Sequence, residues 1–472
     1  MLPELIKRRL IKLVGAENFK DSNVSKLAYS YDATPQFQAM PDAIISPRNK
    51  KEVSQILKLC NQEKIPVVPR GSGTNLSAGT TPLKGGIVLL FNHFNKILEI
   101  DEENLTVTTQ PGVNTLELMK AVEAKGLFYP PDPSSMKISQ IGGNINENSG
   151  GLRGLKYGVT RDYVLGLEVV LPNGDIIRTG GKLAKDVAGY DLTRLFVGSE
   201  GTLGIITEAT LKLVPMPETK KTILALYQDM DAAARTVSKI IANKIIPTTL
   251  EFLDQPTLKV VEDFSQIGLP TNVKAVLLIE QDGERASVEN DIEKISFICK
   301  ENHAVEVKVA QSEKEADELR TARRSALSAL ARLKPTTILE DATVPRSEIA
   351  KMVKVINEIA KEYDLEICTF GHAGDGNLHP TCLTDVRNKE EIERVEKAFE
   401  KIFEKAVALG GTITGEHGVG AMKAPYLYLK LGEEGISAMS AIKKAFDPNN
   451  IMNPGKIFAK SKRKRVVVNQ TP

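Results

Sequence analysis

The 472-residue chain has no tryptophan and only 5% aromatic residues, so it lacks the stacking platforms on which single-stranded nucleic acids lie. Its net charge of +2 offers no basic excess to neutralise phosphates, and nucleic acid is not expected as a partner. The four cysteines, Cys60, Cys299, Cys368 and Cys382, never approach CxxC spacing. That excludes a zinc knuckle or an iron–sulfur cluster built from this chain alone and fits a reducing, cytoplasmic setting. No apolar run reaches the length of a membrane span; the longest are pieces such as "GIVLLF". There is no internal repeat, and the basic "KSKRKR" near the end reads as a solvated tail.

With 42% hydrophobic and 26% charged residues, the chain has the material of a globular protein with two or three packed units. The opening "MLPELIKRRLIKLVG" is basic and amphipathic, with the spacing of a surface helix stopped by Gly15 and not of a targeting peptide. From about 42 to 215, short β-rich runs alternate with glycine-rich turns, and "VVLPNGDII" predicts a hairpin turning at Asn173 and Gly174. "NKKEVSQILKLCNQEK" and "NTLELMKAVEAKG" predict helices there. After about 220, longer helical patterns alternate with strands. One helix follows an N-cap at Asn388. These textures predict an N-terminal helical segment (1–38), a strand-rich α+β domain (39–217), a second α/β or α+β domain (218–430), a C-terminal segment returning to the first domain (431–460) and a basic tail (461–472).

"VVPRGSGTNLSAG" follows a strand and sets Gly71, Gly73 and Gly79 among Ser72, Thr74, Asn75 and Ser77. Successive N–H groups in such a loop form a nest suited to phosphate oxygens. A plain tight turn is the alternative, and the Rossmann fingerprint is excluded because Leu76 stands where its third glycine is needed. "YPPDPSSMKISQIGGNINENSGGLRGLKYG" and "GYDLTRLFVGSEGTLGIITE" have the same turn-rich character. Glycine in such density costs backbone entropy, and a large, flat, polar cofactor accounts for its concentration in one domain.

Three of the five histidines fall in two glycine-rich stretches read as loops, "FGHAGDGNLHP" and "TGEHGVG"; His93 and His303 stand alone as ordinary polar residues. His372, His379 and Glu416 would make a two-histidine, one-carboxylate set suited to zinc, iron or manganese, with coordination positions left open. Loop-bracing hydrogen bonds from the histidines and Asp375 are the alternative. The helical "ADELRTARRSALSALARL" carries Arg320, Arg323 and Arg324, any of which could clamp a carboxylate or simply be solvated.

In this order, "PRGSGTNLSAG", "PPDPSS", "GGNINENSGG" and "DLTRLFVGSEGTLGIIT" resemble the FAD-binding domain of the vanillyl-alcohol oxidase superfamily. The branch is that of glycolate oxidase catalytic subunits, D-lactate dehydrogenases and D-2-hydroxyglutarate dehydrogenases, and the resemblance runs from about 40 to 458. It implies an α+β protein: a two-subdomain FAD-binding domain of the PCMH type, then an α/β substrate (cap) domain with an antiparallel sheet. The loop Pro69, Arg70, Gly71, Ser72, Gly73, Thr74, Asn75 and Ser77 is implied to cradle the pyrophosphate. Pro131, Asp132 and Ser134, then Gly143, Asn148, Gly150 and Gly151, would continue along FAD, with Gly204 and Ile206 toward the adenine and Asn453 contributed by the C-terminal segment. No histidine lies between Arg70 and Gly79, so noncovalent FAD is expected.

"HAGDGNLH" and "GEHG" resemble the branch's substrate-site motifs, which implies His372, His379 and Glu416 as ligands of a divalent metal, zinc foremost, and His417 as the base beside the substrate. The family's "LWxxR" pattern aligns Leu319 and Arg323, making Arg323 the carboxylate anchor. Arg320 takes the tryptophan position, a departure from the pattern, and Lys423 and Arg324 are further cationic candidates. The implied reaction oxidises a small 2-hydroxy acid, D-lactate or glycolate, to the 2-oxo acid by hydride transfer to flavin N5. Electrons would pass to an iron–sulfur subunit, an electron-transferring flavoprotein or quinone, with peripheral membrane association through that partner and a homodimer as further expectations. D-2-Hydroxyglutarate is the rival substrate; a metal-dependent hydrolase and a noncatalytic nucleotide-binding subunit are the readings from other classes.

Overall fold

A computed structural model describes residues 2–34 and 36–458, and the basic tail expected at 461–472 lies outside them. The chain forms two compact units. The first holds the residues up to Ser149, Val159–Met216 and the described residues from Glu416; the second holds Gly150–Gly158 and Pro217–Gly415. Among the described residues no helix is long and apolar enough to cross a membrane.

In the first unit the described strands are β1 (Phe19–Lys20), β2 (Ala43–Ile45), β3 (Val67–Arg70), β4 (Ile87–Leu90), β5 (Ile97–Asp101), β6 (Thr106–Thr109), β7 (Leu127–Phe128), β8 (Val164–Val170), β9 (Ile176–Gly180), β10 (Ile205–Lys212) and β11 (Val214–Pro215). One sheet has the order β1-β2-β4-β3, a second the order β5-β6-β10-β8-β9, and β7 pairs with β11. Strands β2, β4 and β3 run parallel and are apolar on both faces, as doubly covered parallel strands must be. Ala43, Ile45, Val67, Ile87 and Leu89 join a core with the helices Glu4–Val14 and Lys50–Glu63, while Ile44, Val68, Val88 and Leu90 form a cluster on the other face. Ile451 and Met452 belong to the first of these cores, and Met452 bridges Val67 beside β3. Asn49 and Asn114 cap their helices through side-chain oxygens, and the β8–β9 hairpin turns through Gly174 at φ +83°.

One stretch departs from the turn expected of it. Ile141–Glu147, inside "GGNINENSGG", is a helix. Glycine costs a helix interior about 1 kcal/mol relative to alanine, but here it is required, since a Cβ on Gly142 would lie 2.5 Å from the Pro111 side chain. Asn148 ends the helix in the left-handed conformation, at φ +53°.

The second unit's strands are β12 (Thr219–Tyr227), β13 (Thr249–Asp254), β14 (Ala275–Gly283), β15 (Glu306–Val309), β16 (Thr336–Leu339), β17 (Ala342–Thr343), β18 (Glu366–His372) and β19 (Asn377–Thr384). They form one antiparallel sheet of order β15-β12-β14-β13-β18-β19-β16, with β17 also on β19. "FGHAGDGNLHP" is therefore a β-hairpin and not a loop: His372 ends β18, His379 is the third residue of β19, and only Ala373–Gly376 turn. Gly376 sits at φ +87° against the Val344 carbonyl, which the turn requires.

The units divide at places the sequence texture does not mark. Gly150–Gly158 joins the second unit because Lys156 and Tyr157 both reach Asp282, at 2.5 and 3.0 Å. The C-terminal crossing falls between Gly415 and Glu416, not at 430: Asp341 holds the Thr414 hydroxyl and the Gly415 amide in the second unit, whereas the Val419 and Gly420 amides bind Glu200 in the first.

Asp254 fixes the middle of this sheet to a helix. One carboxylate oxygen caps Gln255–Ser265 at Thr257 (2.9 Å), and the other accepts the Thr369 amide of β18 (2.7 Å). Burial, opposed by those hydrogen bonds, lifts the carboxyl to about 6. Between pH of about 4 and 6 the native state thus holds a proton that the unfolded chain has released, so this group's contribution to stability falls as pH rises through that window. Asp254→Ala leaves two interior amides unanswered and is expected to cost about 2–4 kcal/mol. The checks are a lower urea midpoint, faster hydrogen exchange at Thr257 and Thr369, and loss of the group's pH slope.

Candidate functional site

Three glycine-bearing stretches converge in the first unit around a cleft. Pro69, Arg70, Gly71, Gly79 and Thr80 come from the end of β3 and the loop after it, Gln140, Gly142, Gly143, Asn146 and Glu147 from the short helix, and Glu200, Gly201, Gly204, Ile205 and Ile206 from the turn into β10. Phe91 and Pro111 complete the lining. Gly143 shows that the wall is a cradle: a Cβ added there meets no atom within 4 Å, so the helix presents bare backbone to open space.

Of the expected cofactor residues, Pro69, Arg70, Gly71, Gly143, Gly204 and Ile206 line this cleft. Others shape it from behind. The Asn75 side chain accepts the Gly79 amide (2.7 Å) and donates to Thr80 Oγ1 (3.0 Å), folding the loop on itself. Arg70 donates to the Tyr31 carbonyl (2.7 Å) and lies over the Tyr29 ring, and its guanidinium excludes a side chain at Gly73. Ser72 is exposed, with its hydroxyl donating to the Ile138 carbonyl, and Ser77 is buried with its carbonyl accepting the Ala421 amide. Asn453 donates to the Gly79 carbonyl (2.8 Å) and the Glu200 carbonyl (2.7 Å), tying two walls of the cleft together. Asn148 accepts the Arg161 amide (2.9 Å). Thr74, Pro131, Asp132 and Ser134 are not among the lining residues, with Asp132 buried and Ser134 exposed, and Gly150 and Gly151 belong to the second unit.

The acidic side chains of the cleft escaped the sequence reading. Glu147 is pushed well above the usual carboxylate range by burial, then by the charges of Glu200 and Asp32, with Lys456 opposing. Glu200 is also raised by burial, though its oxygens accept the Val419 amide (2.7 Å) and the Gly420 amide (2.6 Å). Burial lowers Lys456 beside them to about 8. Glu200 stands at φ +52°, a strained position for a non-glycine residue. Its amide bonds to the Asn146 carbonyl, so the turn is fastened to the helix. The segment it holds carries Glu416 and His417, whose Oε1 and Nε2 lie 3.9 Å apart. Lys423, on the same segment, is fully buried.

In the second unit, antiparallel register puts both hairpin histidines on one face. Phe370 pairs with His379 and His372 with Asn377, so the imidazoles are diagonal neighbours. Their ring centroids lie 5.1 Å apart with the planes perpendicular, and a ring nitrogen of each is within 4.8 Å of the other. Phe252 of β13 pairs with Gly371, which sets Glu251 beside His372. Glu251 is fully buried, with Oε1 2.7 Å from His372 Nδ1 and Oε2 2.6 Å from Arg323 Nη2. Burial raises this carboxyl, but Arg323 and His372 outweigh it and hold it below its ordinary value. Arg323 also lies over the Phe370 ring at 4.9 Å. Glu251 was not predicted. Its signal is slight: one acid in the otherwise apolar middle of "TLEFLD".

Arg320, three residues away on the helix Glu313–Arg324, is committed to Glu280 (2.5 Å) and Glu313 (2.7 Å). Asp375 accepts the Asn377 amide and braces the turn, and Gly415 packs against Thr343 and Asn377 so tightly that a side chain there would collide with both. The next residue is Glu416. Of the isolated histidines, His93 bonds Asn18 at 3.0 Å and His303 is exposed in a turn.

Two known sequence families match the chain. Residues 41–180 match the FAD binding domain, and residues 216–457 match the C-terminal domain of FAD linked oxidases. The chain is 74% identical over 467 residues to the glycolate oxidase subunit GlcD of Bacillus subtilis, covering 99% of each chain. It is 38% identical to a D-lactate dehydrogenase of Anaerostipes hadrus, covering 90% of each. Among solved structures, p-cresol methylhydroxylase with substrate bound superposes with a TM-score of 0.80 over 99% of this chain and 97% of that one; at 18% identity, that likeness concerns the fold alone. A glycine-walled cleft in a PCMH-type domain, followed by an antiparallel-sheet domain and matched over almost the whole chain, makes this protein a member of the FAD-linked oxidase family and an FAD-linked oxidoreductase.

Proposed function

We propose that the chain oxidises a small 2-hydroxy acid, D-lactate or glycolate, to the 2-oxo acid, using noncovalent FAD and a divalent metal held by His372, His379 and Glu416. The observation that carries this reading is the perpendicular pair of imidazoles on one hairpin face, with Glu251 behind one of them. Two imidazoles and a carboxylate suit zinc, iron or manganese and leave positions open for a chelating substrate. Glu416 directly follows Gly415, whose packing against Asn377 brings the chain to the hairpin turn. The names of the relatives, a glycolate oxidase subunit and a D-lactate dehydrogenase, favour the same substrate class.

When bound, FAD supplies the acceptor for the hydride leaving the hydroxyl-bearing carbon, and the metal supplies a Lewis acid that makes the hydroxyl more acidic. The cleft residues of the first unit hold the cofactor, with the loop from Pro69 to Ser77 bearing its phosphates. Gly150, Gly151, Pro131, Asp132 and Ser134 are kept as cofactor contacts on the strength of the motifs alone. His417 accepts the hydroxyl proton at a ring nitrogen. Arg323 anchors the substrate carboxylate with N–H groups beyond the one facing Glu251. A second substrate carboxylate, as in D-2-hydroxyglutarate, would need another cation; Arg320 is already engaged by Glu280 and Glu313, which leaves Arg324 and Lys423 as the candidates. Reduced flavin is reoxidised by a partner: an iron–sulfur subunit, an electron-transferring flavoprotein or quinone. FAD binding is assigned to the first unit, and the hairpin histidines and Arg323 belong to the second. A hydrolase reading and a noncatalytic one are both set aside by membership of the FAD-linked oxidases.

The direct test is anaerobic mixing of the yellow protein with D- and L-2-hydroxy acids while following flavin absorbance. D-Lactate or glycolate should bleach the flavin, and metal chelation should abolish the bleaching; a protein that no 2-hydroxy acid reduces would overturn the reading. His417→Ala is expected to keep its FAD but to slow reduction by roughly 10²–10⁴-fold, the span of general-base catalysis. Gly143→Leu should fill the cleft from a position with room for a side chain. Its expected signature is loss of copurified flavin with the thermal unfolding of the apoprotein unchanged.

A further inference from the structure

We propose that Glu251 is a positioning residue for the metal centre: its buried carboxylate fixes the His372 ring through Nδ1 and is itself fixed by Arg323. The inference rests on the metal reading above and deepens it. Glu251 lies on β13, the strand adjoining the histidine hairpin, and the antiparallel register points its side chain to the face that carries His372. A carboxylate accepts and does not donate, so in a neutral imidazole the proton sits on Nδ1 and the lone pair on Nε2, which would be left to hold a metal. This is the carboxylate–histidine–metal arrangement, in which the outer acid sets both the rotation of the ring and its strength as a ligand.

The same helix supplies a contrast. Arg320 belongs to an ion network with Glu280, Glu313 and Asp317 that includes no histidine. Three residues on, Arg323 approaches one oxygen of Glu251 and leaves the other to an imidazole. A purely structural pair would gain most from meeting both oxygens in a fork. Dividing the carboxylate between a guanidinium and a ring nitrogen instead makes the ring's orientation depend on a residue that touches neither substrate nor metal.

The experiment measures zinc retention by the purified full-length protein dialysed against a chelator of known affinity, with flavin content and thermal unfolding recorded in parallel. Glu251→Gln is expected to weaken zinc binding by about 10–100-fold with FAD content unchanged, and Glu251→Asp to recover part of the loss. Because Glu251→Gln strands the Arg323 charge, Glu251→Gln/Arg323→Met is the companion variant; it removes both buried charges and should bind zinc as weakly. Zinc binding as tight as in the parent by either folded Gln variant overturns the positioning role and leaves the metal reading standing. A parent protein that takes up neither zinc, iron nor manganese overturns both.

Discussion

The cleft of the first unit depends on one carboxylate that faces backbone instead of solvent. Glu200 accepts the amides of Val419 and Gly420 on its side chain, gives its own amide to Asn146 and its carbonyl to Asn453. Through these four bonds the turn into β10, the glycine-bearing helix, the C-terminal segment and the stretch bearing Glu416 and His417 become one assembly. Glu200 meets these four partners from a strained, left-handed backbone, at φ +52°. A glycine there would relax the strain and lose the acceptor. Asn453 answers it from the other side by holding the Gly79 carbonyl, so the two glycine loops cannot separate without breaking buried hydrogen bonds.

The same device recurs through both units: a buried acid that joins separate segments. Asp254 joins a helix to β18, Asp341 holds Thr414 and Gly415, and Glu251 stands between Arg323 and His372. Burying a charge costs several kcal/mol unless its partners are well placed, so these groups add little net stability for their number. What they contribute is specificity of geometry, because an incorrectly packed arrangement would leave a buried charge unanswered. They sit where the proposed chemistry needs fixed geometry, around the cleft and the imidazoles, while the apolar clusters carry the burial that drives folding.

Local signals in the sequence were legible and tertiary ones were not. Asn49, Asn114 and Asn388 cap the helices they precede, and Asn173–Gly174 turns the β8–β9 hairpin, because a cap or tight turn is decided within four residues. The motif order identified the FAD-binding domain. The histidine hairpin was hidden because glycine argues against strands, yet Gly371 lies in β18 where a Cβ would run into the Asn377 carbonyl across the ladder. The helix inside "GGNINENSGG" was hidden for the same reason, with Pro111 as the neighbour that requires the glycine. Glu251 had no local signal: its histidine partner is 121 residues away, and only the sheet order makes them neighbours.

The chain passes between its units inside the motifs that carry function. Gly150 and Gly151 close the "GGNINENSGG" stretch and open the second unit, while Gly415 ends the second unit one residue before Glu416. The stretch bearing Glu416 and His417 is therefore held at one end by Asp341 and at the other by Glu200. In the proposed reading Glu416 is a metal ligand and His417 a base, so each of two neighbouring residues has to point in its own direction without moving the other. The glycines flanking them allow it. A Cβ on Gly415 would lie within 3 Å of the Thr343 and Asn377 side chains and collide with them, and Gly418, at φ +81°, passes beside Glu147 and Glu200, so Glu416 and His417 are bracketed by glycines.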